Sequence, residues 1–375
     1  MMPATDTAAP GRFPNHLVLE LARAITTLAE QNGLRSFSLP YPHAAQVALD
    51  RVVLYCLDRG RTAPRSLAEL LSWCTGPGHA HPSRARGPAP AYPELWLIDP
   101  VGLMPTRRCL ELAPPGRAGC VEQDAVDTLT ALERRCASAD RYSRCRRFLA
   151  RHPVISPPDR FGPCRWDAVV WNKVKNLYEP VPESLLARGV LRLCGTCGLP
   201  ARAPDNERKS TDTTWCEAED CPSHVPFRMV RKPGECKVLK RSLRAFLSVA
   251  ACTEQEVLDV LGRIGAGYTL LAGSGLGTYR VTGAGLRPCL LQVHDRHEPS
   301  LLAGRVGASF ADATDPALIV VPRRAADRTG YRPAFEAALS EECSNRPILT
   351  TPDELERRLR SLNLPVTDLR EDPDA

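Results

Sequence analysis

The sequence predicts an α+β chain of several domains: a mainly helical N-terminal domain, a small cysteine-bearing ribbon, and a C-terminal α/β domain. Three observations carry that expectation. Apolar residues recur at helical spacing, behind capping residues, through the first 75 positions. Two cysteine pairs stand close together near the middle of the chain. After them, helical and short strand-like runs alternate with glycine-bearing turns.

The helical domain is expected over 15–165, after a disordered tail at 1–14. Asn15 can cap a helix through LVLELARAITTLAEQN that stops at Gly33, and Ser66 with Glu69 makes a capping box for a helix through AELLSW. Between them, PHAAQVALDRVVLYCLDRG places Ala45, Val47, Ala48, Val52 and Tyr55 on one side of a helix. The Pro/Gly/Ala-rich stretch 76–93 has no apolar period and reads as a surface loop. His79 and His81 sit in it as an isolated pair with nothing nearby to pin a metal. LWLIDPVGLM returns to the core, VEQDAVDTLTALERRCA begins a further helix, and ARHPVISPPDRFGP closes the domain.

With 375 residues and 43% hydrophobic side chains, the chain can bury more than one core. It has no apolar run of about 18 residues, as a membrane span would need. Its first residues, MMPATDTAAPGRFPN, have neither the basic nor the apolar region of a secretory signal. A cytoplasmic location is expected. Fifteen cysteines in a reducing compartment argue for metal ligation over a disulfide framework.

Charge is unevenly placed. Residues 1–180 carry 23 basic and 17 acidic side chains, whereas 181–375 carry 26 of each. Stretch 134–151 holds seven arginines against Asp140 alone, and 228–244 holds seven basic residues against Glu235. Such stripes suit a phosphate backbone, where each neutralised phosphate releases counterions. Arg134, Arg135, Arg144, Arg147, Arg151, Arg231, Lys232, Lys237, Lys240 and Arg241 are the candidate nucleic-acid contacts. The competing reading is an ordinary solvated face.

The strongest chemical signal lies in the expected linker helix and ribbon, 166–232. Cys194 and Cys197 are two residues apart, and after 18 more come Cys216 and Cys221, four apart. Two thiolate pairs on tight turns, with glycines at 195 and 198, can close a tetrahedral sulfur shell around Zn²⁺. Four protein ligands leave no open position, so the zinc would be structural. His224 is a possible substitute for Cys221.

From 233 to 363 the order is helix, three strands, helix, strand, then helix, strand and helix, with an acidic tail at 364–375. Helices are expected through VLKRSLRAFLSVAA and through TEQEVLDVLGRIGA, the latter capped by Thr253 and Glu256. The strands are YTLLAG, TYRVTG, PCLLQV, ALIVVP and PILT. This is the core order of the restriction-endonuclease-like fold, in which carboxylates on the second and third strands hold Mg²⁺ and a lysine helps activate water. The third strand ends in Gln292, Val293, His294 and Asp295, followed by His297 and Glu298. No lysine follows Lys240, and 272–291 contains no Asp or Glu. Gln292, His294 and Asp295 are thus a remnant site, and Glu256, Asp259, His297 and Glu298 are conceivable helpers.

YPHAAQVALDRVVLYCLDRG, PRSLAELLSWC, WNKVKNLYEPVPESLLARGVLRLCGTCG and LLQVHDRHEPSLLA resemble the restriction-endonuclease-related proteins of the pPIWI-RE three-gene islands, over about residues 15 to 363. The resemblance implies an N-terminal Y domain, a nuclease-like C-terminal domain, and action on invading DNA or RNA–DNA hybrids. It implies as partners a PIWI-type protein and a DinG-type helicase. It also implies acidic-x-Lys-Asp at positions 292–295, where only Asp295 keeps its type. Three readings stay open: a degenerate nuclease-fold subunit that binds without cutting; an active endonuclease using Mg²⁺ or Mn²⁺ through relocated residues; and a zinc-ribbon regulator or adaptor.

Overall fold

A computed structural model describes residues 13–31, 33–34, 39–75, 95–113, 121–156, 167–202, 215–221, 227–273, 275–283, 285–339 and 346–362. Helices are α1 (Asn15–Gln31), α2 (His43–Asp58), α3 (Leu67–Trp73), α4 (Arg107–Leu112), α5 (Val121–Cys136), α6 (Ala139–Arg151), α7 (Ala168–Val174), α8 (Ala251–Arg263), α9 (Pro299–Ser309), α10 (Arg323–Ala326), α11 (Tyr331–Ala338) and α12 (Leu355–Ser361). The class is α+β, with the helical part first and the sheets after it. The chain divides into two compact units. Met1–Thr128 and Arg144–Val249 make the first, and Leu129–Ser143 with Ala250–Ala375 make the second.

In the first unit, Leu17, Leu21, Ile25 and Leu28 of α1 share a core with Ala45, Ala48, Val52 and Cys56 of α2. Spacings of three and four residues put each set on one helix face, where burial rather than propensity stabilises the helix. At α3 the Ser66 hydroxyl accepts from the Glu69 amide at 3.2 Å. Glu69 completes its half of the box one residue early, on the Arg65 amide at 3.0 Å. Thr106 caps α4 by accepting from the Cys109 amide at 3.1 Å.

The same unit holds two small sheets. In one, β8 (Lys237–Leu239) lies between β1 (Val154–Ile155) and β2 (Tyr178–Pro180), antiparallel to both. This pairing keeps 237–239 with the first unit, so the unit boundary falls at Val249 rather than near 233. The other sheet runs β3 (Leu186–Ala187), β4 (Val190–Leu193), β5 (Pro200–Arg202) and β6 (Trp215–Cys216), with β7 (Arg228–Val230) also pairing with β4. Met104, Val154, Leu185, Leu191, Leu193, Trp215 and Val238 form the core beneath them. Gly102 lies so close to Trp215 that a Cβ there would sit 2.5 Å from the indole.

The second unit is built on one five-stranded sheet of order β13-β12-β11-β10-β9. β9 (Gly267–Leu270), β10 (Thr278–Gly283) and β11 (Leu286–Val293) form an antiparallel meander. β12 (Ala317–Val320) and β13 (Ile348–Thr350) then add in parallel through the crossovers that contain α9 and α11. Ala317, Ile319 and Leu349 face Leu302, Val306, Tyr331 and Phe335 of those helices. The stretch 238–250 is not the continuous α-helix expected. It is one helical turn, Arg241–Leu243, followed by a π-helical stretch, Arg244–Ser248. Because the chain reaches Ala250 already in helical conformation, α8 begins at Ala251 without a side-chain cap. Thr253 is therefore a buried residue of its first turn, not its cap.

Candidate metal centre and strand-end site

The four cysteines converge. Cys194 follows β4, Cys197 lies on the turn into β5, Cys216 ends β6, and Cys221 closes the loop after it. Gly198, at φ +71°, lets the chain reverse, and its amide donates to the Cys194 carbonyl at 2.9 Å. The Sγ atoms all lie within 4.8 Å of one another, with Cys197 and Cys216 3.3 Å apart. A tetrahedral Zn²⁺ with bonds of about 2.3 Å needs sulfurs roughly 3.8 Å apart. The spacing fits.

Proton sharing points the same way. Hydrogen bonds from Cys197 and Cys216 hold the Cys194 thiol far below its ordinary value. A bond from Cys197 holds Cys221 down to about 5. Cys197 and Cys216 are pushed up, each first by its hydrogen bond with Cys194. Both downward shifts favour the thiolate, and sulfur of this character is what Zn²⁺ ligates. Elsewhere, burial pushes the Cys289 thiol up to about 11 and Cys109 to about 12, so these are inert core residues.

The second cysteine loop is held by two arginines that sequence reasoning did not single out. Arg244 pairs through two nitrogens with Glu217, at 2.7 and 2.9 Å. Arg107, at the start of α4, donates from its guanidinium to the Ala218 carbonyl at 3.1 Å and from its amide to Glu219 at 2.7 Å. It also lies 3.5 Å from Asp220. Both guanidinium groups are buried, and the paired acids sit within the CEAED run that joins Cys216 to Cys221. Acids between two cysteines of the cluster were the readable signal, and their arginine partners were beyond any local pattern.

 The separations in sequence are 112 residues for Arg107 and Glu219 and 27 for Arg244 and Glu217.

The strand-end residues of the second unit are arranged differently. Gln292 is buried on β11 opposite Thr278 of β10, and its amide donates to the Thr278 hydroxyl at 2.8 Å. That orientation turns the Gln292 oxygen toward His294, whose Nε2 donates to it at 2.9 Å. Thr278, Gln292 and His294 therefore form a buried polar line without a carboxylate. Asp295 does not join it. Its side chain, 1% exposed, forms an ion pair with Arg324 of α10. His297 is half-buried and accepts from Arg328 at 3.4 Å, and Glu298 stands at the start of α9 without capping it. Among the described residues, the four cysteines are the one group of three or more metal-capable side chains whose ligand atoms converge.

Of the acidic helpers, Glu256 and Asp259 lie on the exposed face of α8. The buried acid of that helix is Glu254, which accepts from the Tyr279 hydroxyl of β10. Its position one turn before Val257 and two before Leu261, on the buried stripe, could have singled it out. Among the candidate nucleic-acid contacts, Arg134, Arg135, Arg144, Arg147, Arg151, Arg231, Lys232 and Lys237 are exposed. Arg144 pairs with Asp167 at 3.1 Å, and Lys232 with Glu235 at 3.3 Å. Lys240 and Arg241 are half-buried and line a cleft of about 840 Å³ together with Glu30, Asp124, Asp127 and Glu183. An acidic wall so close makes these two poor phosphate ligands. His79, His81 and His224, and the expected tail 364–375, lie outside the described residues.

The first unit is thus a helical and small-sheet assembly around a cysteine cluster able to hold a metal such as zinc, in a chain with no described helix long and apolar enough to cross a membrane. Residues 17–156 match the family described as the pPIWI_RE three-gene island domain Y. The match ends at 156 and leaves the cysteine cluster and the second unit's 250–375 segment outside it. No curated protein and no solved structure matches the chain.

Proposed function

We propose that the chain is the nuclease-fold subunit of a defence island, that it binds invading DNA or RNA–DNA hybrids beside a PIWI-type protein and a DinG-type helicase, and that its own site no longer cuts. Two features support the fold. A meander of three strands is followed by a helix and a parallel strand, and the residues of interest stand at the C-terminal end of the third strand. The observation that carries the loss of cutting is the Thr278–Gln292–His294 line. Where a two-carboxylate site would gather negative charge for Mg²⁺, these side chains hydrogen-bond one another and include no carboxylate. Asp295, the retained acid, is neutralised from within the chain. The exposed arginines of α5 and α6 are suited to a phosphate backbone. The cysteine cluster, with zinc bound, would order the first unit and take no part in chemistry.

The reading predicts that the purified protein does not nick supercoiled plasmid with Mg²⁺ or Mn²⁺ above background. Gln292→Asp combined with His294→Lys is expected to recover weak nicking at most, since no second-strand carboxylate is restored. Robust Mn²⁺-dependent cleavage by the wild type, abolished by Asp295→Ala, would overturn the degenerate reading and favour an active endonuclease with relocated residues.

A further inference from the structure

The C-terminal ends of parallel strands gather loops on one edge of a sheet, and ligands of α/β proteins bind there. Here β11 and β12 end side by side, joined by the His294 amide donating to the Val320 carbonyl at 2.9 Å. Asp295 follows the end of β11, and Arg323, Arg324 and Arg328 follow the end of β12. A buried carboxylate needs a compensating cation. At this edge the cation is the Arg324 guanidinium, which pairs with Asp295 while remaining 41% exposed.

That pairing has two chemical consequences. A divalent ion approaching Asp295 would meet a like charge at contact distance, so the carboxylate is closed to metal. The guanidinium, by contrast, has five N–H donors in a planar fork, and a single carboxylate does not exhaust them. Held on its inner side by Asp295, it is oriented for an anion on the outer side. Its neighbours extend the same surface. Arg323 meets Asp327 at 3.3 Å and Asp353 at 3.9 Å, but all three are exposed and water screens such pairs. Arg328 donates to His297 at 3.4 Å.

We propose that Arg324 stands in for a divalent cation at this edge, and that with Arg323 and Arg328 it forms a metal-independent site for the phosphates of a nucleic-acid backbone. The inference rests on the proposed nucleic-acid-binding role of this chain. It goes further by naming the residues, the ligand group and the independence from metal.

The test is fluorescence anisotropy of the zinc-loaded full chain with a short fluorescein-labelled DNA duplex, in chelator-free buffer without Mg²⁺ and in the same buffer with Mg²⁺, over a range of salt. Wild-type affinity is expected to be the same in both media. Arg324→Gln is expected to weaken binding about tenfold and to lower the salt slope by about one. Because that variant leaves Asp295 buried without its partner, the neutral pair Asp295→Asn with Arg324→Gln is measured beside it. Equal loss in the pair, with an unchanged thermal transition, supports a phosphate contact rather than a folding defect. Wild-type binding that requires Mg²⁺, or variants that bind as tightly as wild type, would overturn the inference and leave nucleic-acid binding itself standing. No binding by the wild type in either medium would remove both.

Discussion

The cysteine cluster and the strand-end site both bring polar groups into a protected place, yet they treat charge in opposite ways. At the cluster, four sulfurs lie within 4.8 Å of one another, and hydrogen bonds shift two of them toward the thiolate, the form that ligates a cation. At the strand end, Gln292 and His294 hydrogen-bond each other and Asp295 is paired with Arg324. One site is completed by binding something. The other is already complete within the chain. The difference teaches that the capacity to hold a metal lies in ligand atoms that converge, not in the mere presence of ligand-type residues: His294 bonds Gln292, Asp295 pairs with Arg324, and His297 accepts from Arg328.

The largest effect expected is on the open site. Purified reduced protein is expected to carry about one zinc, and Cys194→Ser to lose it together with much of the stability of the first unit, because metal-binding free energy there is folding free energy. Elemental analysis with thermal unfolding checks this, and metal-free wild type with an unchanged transition would break the comparison at its first term.

A smaller effect is expected at the arginines that hold the second cysteine loop. Arg244→Met leaves Glu217 largely buried without its two-nitrogen partner, and removing one member of a buried pair costs about 3 to 5 kcal/mol. Chemical denaturation of the zinc-loaded protein measures it. A loss below about 1 kcal/mol would show that the loop is ordered by metal alone. The smallest effect is expected at the strand end. Gln292→Leu removes the partner that His294 and Thr278 share, at a cost of about 1 kcal/mol for each hydrogen bond lost. Stabilisation by this change would mean that the polar line is retained against the interests of the fold.

The sequence by itself determined the first three helices, the strand order of the second unit and the four cysteines able to hold a metal, because these depend on local rules. Helical spacing fixed the buried faces of α1 and α2, the Ser66 cap fixed the start of α3, and glycines with alternating apolar runs marked β9, β10 and β11. Cysteine spacing named Cys194, Cys197, Cys216 and Cys221 before any geometry was known. Even local rules failed where a neighbour overrode them: Thr253 has the residue type of a cap but is buried inside a helix that arrives already formed. Tertiary structure alone decided what the charged residues do, since an ion pair depends on distance in space and not along the chain. It set Arg107 and Arg244 on the cysteine loop, turned Lys240 and Arg241 toward an acidic cleft, put Glu254 rather than Glu256 inside, and gave Asp295 to Arg324, 29 residues away.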